Sequence, residues 1–354
     1  MNILPLNNYS YSRNPSMQGI VHFSTIFSRV FISRILEEGI PCAYTGKKLM
    51  PPQNLNQLKR EPEEGKILAS LQQYKDEFIG KDKRFVGALL EEKYLAPYKN
   101  FADCLKIIYD KMVKSYKSVV LIGLDNISTL LKYKGEGDEK ELSETISDYL
   151  NNAVFGNDQE DSLVLQDMII KFIKEHAFND ISILNFVKKT LNNISKEKEN
   201  LDSFKEKFVN VYNADMPIIN VMRNITSSYE HIFPRSLNEP DENFKAQILT
   251  SYKINHDKGN TLIDDFIIKS EYPVAKNIQN QINRLIEIYK KWQSEDSTEL
   301  SSKLVLYMFV LEYEFARKSD IIRIDLSKLT ELMSPQDIVK LRTRAKNLLD
   351  YSLL

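Results

Sequence analysis

The sequence predicts a mainly α-helical protein with one inserted strand–strand–helix unit, on three observations. Apolar residues recur at three- and four-residue spacing along most of the chain, the pattern of helices that bury one face. Glycine and proline are sparse, 11 and 12 in 354 residues, whereas a turn-rich β fold needs many more. One stretch, residues 227–260, breaks the helical pattern with Pro234, Pro240, a polar LNEPDEN loop and a β-prone AQILTSY run. At roughly 150 residues per domain, the length allows two domains or one large one.

Residues 1–20, rich in Asn, Ser and Tyr, read as a flexible tail with no apolar run long enough for a signal peptide. Residues 21–39 then carry helical spacing up to Gly39, a common position for a helix stop. A polar stretch, 51–66, separates this helix from periodic segments near 66–79, 84–95, 101–132, 140–153, 161–176, 181–195 and 201–212. Within the exceptional stretch the order is strand, loop, strand, then a helix over about 256–269. A last helical block spans 274–349, in which Ser334 followed by Pro335 marks an N-cap and first helical position. The expected divisions are therefore 1–20, 21–225, 226–270 and 271–354.

Composition narrows the function. Lys and Arg total 48 against 49 Asp and Glu, so no global attraction to nucleic acid or to an anionic membrane follows. The most apolar run, residues 303–311, is far shorter than the ~20 residues needed to span a bilayer. No membrane partner is expected. Cys42 and Cys104 are too few for a disulfide framework or a structural zinc site. The expected location is the cytoplasm.

The candidate chemistry lies at 230–260. A strand bearing Glu230 and His231, a second strand, and a helix bearing Asn255 can bring a carboxylate, an imidazole and an amide together. Carboxylate and amide oxygens are hard ligands suited to one Mg²⁺ (or Mn²⁺) ion, with His256 a substitute ligand beside them. A neutral imidazole nearby can take a proton from water near neutral pH. Arg235 and Lys258 are the nearest candidates for holding phosphate oxygens. Capping the helix that follows is the alternative role for Asn255. Lys340, Arg342, Arg344 and Lys346 form a basic run on the last helix, either a phosphate-facing stripe or a solvated surface.

The segment Glu230-His231-Ile232-Phe233-Pro234-Arg235-Ser236 resembles the D/E-H-I-x-P-R/Q-S signature of HNH (ββα-metal) endonucleases. Asn255-His256-Asp257-Lys258-Gly259-Asn260 resembles the N-x-x-K-G-N signature of the same family. The likeness is closest to the HNH nuclease domain of CRISPR type II effectors, where a run like Gln247–Ser251 also lies between the two signatures. Cys42-Ala43-Tyr44-Thr45-Gly46-Lys47 resembles a C-x-Y-T-G-K segment that precedes the nuclease core in those relatives. The resemblance covers about residues 228–268 and 42–49.

This resemblance implies a phosphodiester hydrolase, with DNA the expected substrate. In it His231 is the general base, Glu230 and Asn255 are ligands of one divalent ion, and no structural zinc is needed. Tyr44, Thr45, Gly46 and Asn243 take supporting roles. The family register counts back from Asn255 to Ala246 for the middle asparagine, and the nearest asparagine is Asn243. In the relatives the tyrosine–threonine–glycine segment lies close before the histidine, so here a helical insertion must separate pieces that pack together. The alternative is a non-catalytic helical interaction protein that keeps a degenerate HNH fold. Basic and acidic residues balance across 221–260, which favours that alternative, because phosphate neutralisation dominates affinity for nucleic acid.

Overall fold

A computed structural model of the chain describes residues 29–155, 159–232, 246–295 and 298–350. The fold is mainly helical, with one two-stranded sheet among the described residues. In chain order the elements begin with α1 (Arg29–Glu37), α2 (Pro52–Arg60), α3 (Glu64–Gln73), α4 (Gly80–Leu95) and α5 (Phe101–Lys134). Next come α6 (Asp138–Phe155), α7 (Gln159–Glu175), α8 (Ile181–Phe204) and α9 (Asp215–Arg223). The strands β1 (Ser227–His231) and β2 (Gln247–Ser251) lead into α10 (Tyr252–Lys258) and α11 (Ile263–Lys269). The chain closes with α12 (Val274–Ser294), α13 (Thr298–Lys318), α14 (Ser327–Thr330) and α15 (Pro335–Asp350).

These elements form two compact units, residues 57–222 and residues up to 56 together with those from 223 onward. The sequence groups 21–225 as one helical region. The observed division differs because residues 40–50 hydrogen-bond to the β1–β2 region and to α12, as in Ala43 N to Leu249 O, Met50 N to Ile225 O and Asn277 Nδ2 to Tyr44 O. The expected tail, 1–20, and the first part of the expected helix at 21–39 lie outside the described residues.

In the unit 57–222, Val120, Leu124, Ile127 and Leu131 of α5 share a buried core with Leu142 and Ile146 of α6. Ile183, Val187, Leu191 and Ile194 of α8 complete that core. Each set repeats every three or four residues, so one face of each helix is removed from water. Side chains of Asn100 and Asp180 cap α5 and α8, accepting from Asp103 N at 2.9 Å and from Ser182 N at 2.6 Å. Where the sequence suggests a break after 195, α8 runs on to Phe204. Ile194 and Leu201 are both buried two turns apart, and the Lys/Glu run between them is a good helix former. The polar stretch expected at 51–66 contains α2, opened by Pro52 at its first position with Leu55 and Leu58 buried.

In the other unit, β1 and β2 pair antiparallel, with Ser227 opposite Ser251, Glu230 opposite Ile248 and His231 opposite Gln247. The helix expected over 256–269 is two helices, α10 and α11. The first starts at Tyr252, where Ser251 Oγ accepts from Ile254 N at 3.4 Å, and ends at Gly259. The apolar run 303–311 lies within α13, and Leu304 through Leu311 are all buried. Among the described residues, no helix is long and apolar enough to cross a membrane. Ser334 caps α15 as expected, its Oγ accepting from Asp337 N at 3.2 Å.

Candidate functional site

The site is built on three local decisions of the chain. Residues Pro41–Lys48 form a tight hairpin in which Cys42 N donates to Lys47 O at 2.6 Å and Gly46 N to Cys42 O at 2.9 Å. Gly46 has φ +71°, a left-handed conformation that suits glycine. A Cβ there would also sit 2.9 Å from Asn277 Oδ1. The hairpin then docks on β2. Ala43 N donates to Leu249 O at 3.0 Å, and Cys42 Sγ lies 3.2 Å from Thr250 Oγ1. A parallel bridge follows, in which Met50 N donates to Ile225 O at 3.0 Å and Ser227 N to Met50 O at 2.9 Å. Residues far apart in sequence thus lie against the start of β1 and the middle of β2.

Helix α12 locks this arrangement from one face. Asn277 Nδ2 donates to Tyr44 O at 2.7 Å, and Gln281 Nε2 donates to Pro41 O at 2.6 Å and Leu249 O at 2.8 Å. Both amides are buried, Gln281 completely. Tyr44 is also fully buried, its ring 5.3 Å from that of Phe266 on α11. Thr45 Oγ1 accepts from Lys47 N at 3.3 Å and holds the turn itself. From α13, Tyr307 donates its phenolic O–H to Gln247 O at 3.0 Å, and burial pushes that phenol's pKa up. Asn277 and Gln281 are not among the residues the sequence singles out. Their signal was present, however: two amides four residues apart fall in phase with Val274, Ile278 and Ile282 on the buried stripe of α12.

Asn255 sits on α10 one turn after its start, half-buried. Its Nδ2 donates to Ser228 Oγ at 2.7 Å and to Tyr229 O at 2.9 Å, tying α10 to β1. Because Tyr229 O is a carbonyl and only accepts, the amide orientation is fixed by chemistry. Both N–H donors are therefore used, and among the described residues no hydrogen bond engages Oδ1. Asn255 does not cap α10; Ser251 does. Glu230 and His231 are the two residues of β1 that follow Tyr229, the strand to which Asn255 is tied.

Other expected site residues fall elsewhere. Arg235 and Asn243 lie outside the described residues. Lys258 is only 1% exposed, in phase with buried Ile254 one turn earlier, so in this conformation its ammonium is not presented to a substrate phosphate. His256 is exposed, and its ring lies parallel to that of Tyr252 with centroids 6.4 Å apart. Lys253 is paired with Asp257 at 3.0 Å. Arg342 of the basic run pairs with Glu312 at 2.8 Å. Among the described residues, no group of three or more His, Cys, Asp or Glu side chains is placed to hold a metal.

No protein-family model, curated protein or solved structure matches the chain. What the arrangement can do is therefore argued from its own residues. Among the described residues the one contact that joins α10 to β1 through an expected site residue is that of the Asn255 amide, whose carbonyl oxygen is a hard donor of the kind divalent ions take.

Proposed function

We propose that the chain is a divalent-metal-dependent nuclease of the HNH type acting on phosphodiester bonds, with DNA the substrate. The observation that supports it is the Asn255 amide. Its two N–H groups are spent on β1 immediately before Glu230 and His231, and its Oδ1 remains as a ligand oxygen. A second support is local order: β1 and β2 pair antiparallel and β2 leads directly into α10. In this reading Glu230 and Asn255 hold one Mg²⁺ or Mn²⁺ ion, a pairing of hard oxygen donors that fits that ion. Such an ion, when bound, offsets the charge that develops on the phosphoryl group and its departing oxygen.

His231 takes a proton from water, whose oxygen forms the new bond to phosphorus as the bond to the 3′ oxygen breaks. The departing oxygen takes its proton from solvent. The hairpin at 41–48, with Tyr44, Thr45 and Gly46, contributes no reacting group and instead fixes β2 and hence the start of α10.

Plasmid DNA incubated with the purified chain and Mg²⁺ or Mn²⁺ is expected to be cleaved, and EDTA to abolish cleavage. His231→Ala is expected to lose about 10²–10⁴-fold, the usual share of a general base. Equal survival of the plasmid with wild type and variant, with either ion, would refute the enzyme. The non-catalytic reading is favoured by one observation, the enclosure of Lys258, and that same null result would be its signature.

A further inference from the structure

Of the two cations expected to hold substrate phosphate, Lys258 is enclosed and Arg235 lies outside the described residues. A different cation lies against the start of α10. The guanidinium of Arg223 lies 3.9 Å from the ring centroid of Tyr252, the first residue of α10. Tyr252 and His256 have parallel rings, 3° between planes. Tyr252, Asn255 and His256 are spaced i, i+3 and i+4, so they share one face of α10.

Arg223 is exposed, and among the described residues no carboxylate or carbonyl accepts from its side chain. It is the reverse of Lys253 on α10, whose charge is taken up by Asp257. An arginine held over an aromatic ring keeps N–H donors at its rim to offer an anion and loses less freedom on binding it. The exposed His256 ring on the same face offers a stacking surface for a base or sugar.

We infer that Arg223, ordered by Tyr252 and flanked by His256, is the phosphate-binding residue of this site. It takes the phosphodiester backbone of nucleic acid next to the scissile bond. The inference rests on the nuclease reading for the nature of the ligand, but not on catalysis. It also accounts for how a locally neutral segment would hold a polyanion, since a guanidinium with no acid partner among the described residues contributes more than a cation already bound to an acid, as Lys253 is to Asp257.

The test is binding of a fluorescently labelled DNA duplex to the full chain in EDTA, across a salt series, so that cleavage plays no part. Arg223→Gln is expected to weaken binding by about tenfold and to lower the slope of log K against log salt by about 1. Arg223→Lys should keep the slope and lose part of the affinity, because an ammonium neither forks nor stacks as a guanidinium does. Tyr252→Leu should weaken binding with the slope unchanged. Arg344→Gln, on α15, is the control and should stay within about twofold of wild type, as a solvated surface charge does.

The inference is overturned if Arg223→Gln, folded by circular dichroism, binds with wild-type affinity and slope. It is equally overturned if Arg344→Gln carries the loss, or if the wild-type chain binds no duplex. Should Arg223→Gln fail to fold, Arg223→Lys decides: wild-type affinity sinks the proposal. Binding that depends on Arg223 without plasmid cleavage would instead sink the nuclease and leave this site standing.

Discussion

In the unit 57–222 most buried contacts are apolar and join neighbouring helices: α5, α6 and α8 share one apolar cluster and Gly123 of α5 lies beside Ile194 of α8, while Ser128 of α5 bonds Ser143 of α6. In the other unit the decisive contacts are polar and join residues more than 200 positions apart. Asn277 reaches Tyr44 O, Gln281 reaches Pro41 O, and Cys42 lies against Thr250. The first unit is a contiguous stretch whose order follows from which faces are apolar. The second is assembled from two stretches with the first unit's sequence between them, and its order depends on individual hydrogen bonds. Buried amides of this kind specify a geometry more sharply than apolar packing, and are correspondingly costly to break.

The largest expected effect separates the units outright. Residues 57–222 expressed alone should keep a helical circular dichroism spectrum and a cooperative melt, because their core is complete within the stretch. Residues 223–354 alone should not, because Cys42, Ala43, Tyr44 and Met50, all fully buried, come from outside it. A cooperative melt from 223–354 would show that the polar contacts to the hairpin are dispensable. Next in size is Gly46→Ala. It pays a left-handed backbone penalty and pushes on Asn277, whose bond to Tyr44 O is buried; the loss should be about 2–4 kcal/mol by urea unfolding.

The same contrast explains what the sequence disclosed. Helices with long apolar stripes, such as α5 and α12, are visible because burial of one face imposes a period on the residues themselves. The strand pair was visible as a β-prone run that breaks the helical period, and Asn255, singled out for its chemistry, ties α10 to β1. The docking of 41–48 on β2 was not derivable from periodicity, since a pattern along one chain records how deeply a residue sits and not which distant residue it meets. Asn277 and Gln281 looked like ordinary polar positions until their phase with Ile278 and Ile282 was considered. Lys258 shows the reverse: its residue type suggested solvent, while its spacing from Ile254 already placed it on the buried face of α10.

A smaller effect tests the polar side of the comparison at its edge. Glu38 follows α1 and accepts from Lys291 at 2.7 Å and from Trp292 Nε1 at 3.4 Å, both on α12. Burial pushes its carboxyl up, but the hydrogen bonds from Lys291 and Trp292 and the charges of Lys291 and Arg284 outweigh it and hold the pKa below the ordinary 4.5. A carboxylate depressed on folding stabilises the protein above its unfolded pKa, and the benefit is lost as pH falls through the folded value. Glu38→Gln should therefore lower the melting temperature by a few degrees at pH 7, and the gap to wild type should close below 4.5. A gap that persisted in acid would assign the contact to packing and not to charge.

The smallest effect comes from the glycine of the other unit. An alanine Cβ at Gly123 would meet the δ-methyl of Ile194 at 2.9 Å and the γ-methyl of Thr190 at 3.1 Å. Nothing polar is displaced, the obstructing atom is the far end of a side chain that can rotate, and the helical backbone needs no unusual φ. Against that crowding, alanine gains about 1 kcal/mol over glycine inside a helix. Gly123→Ala should accordingly fall within about 1 kcal/mol of wild type in the same urea experiment, because the two terms offset. Gly46→Ala and Gly123→Ala each bring a new Cβ to 2.9 Å from a neighbour. If they cost the same, distance alone would govern both units; an apolar neighbour that yields and an amide that cannot should instead set them apart.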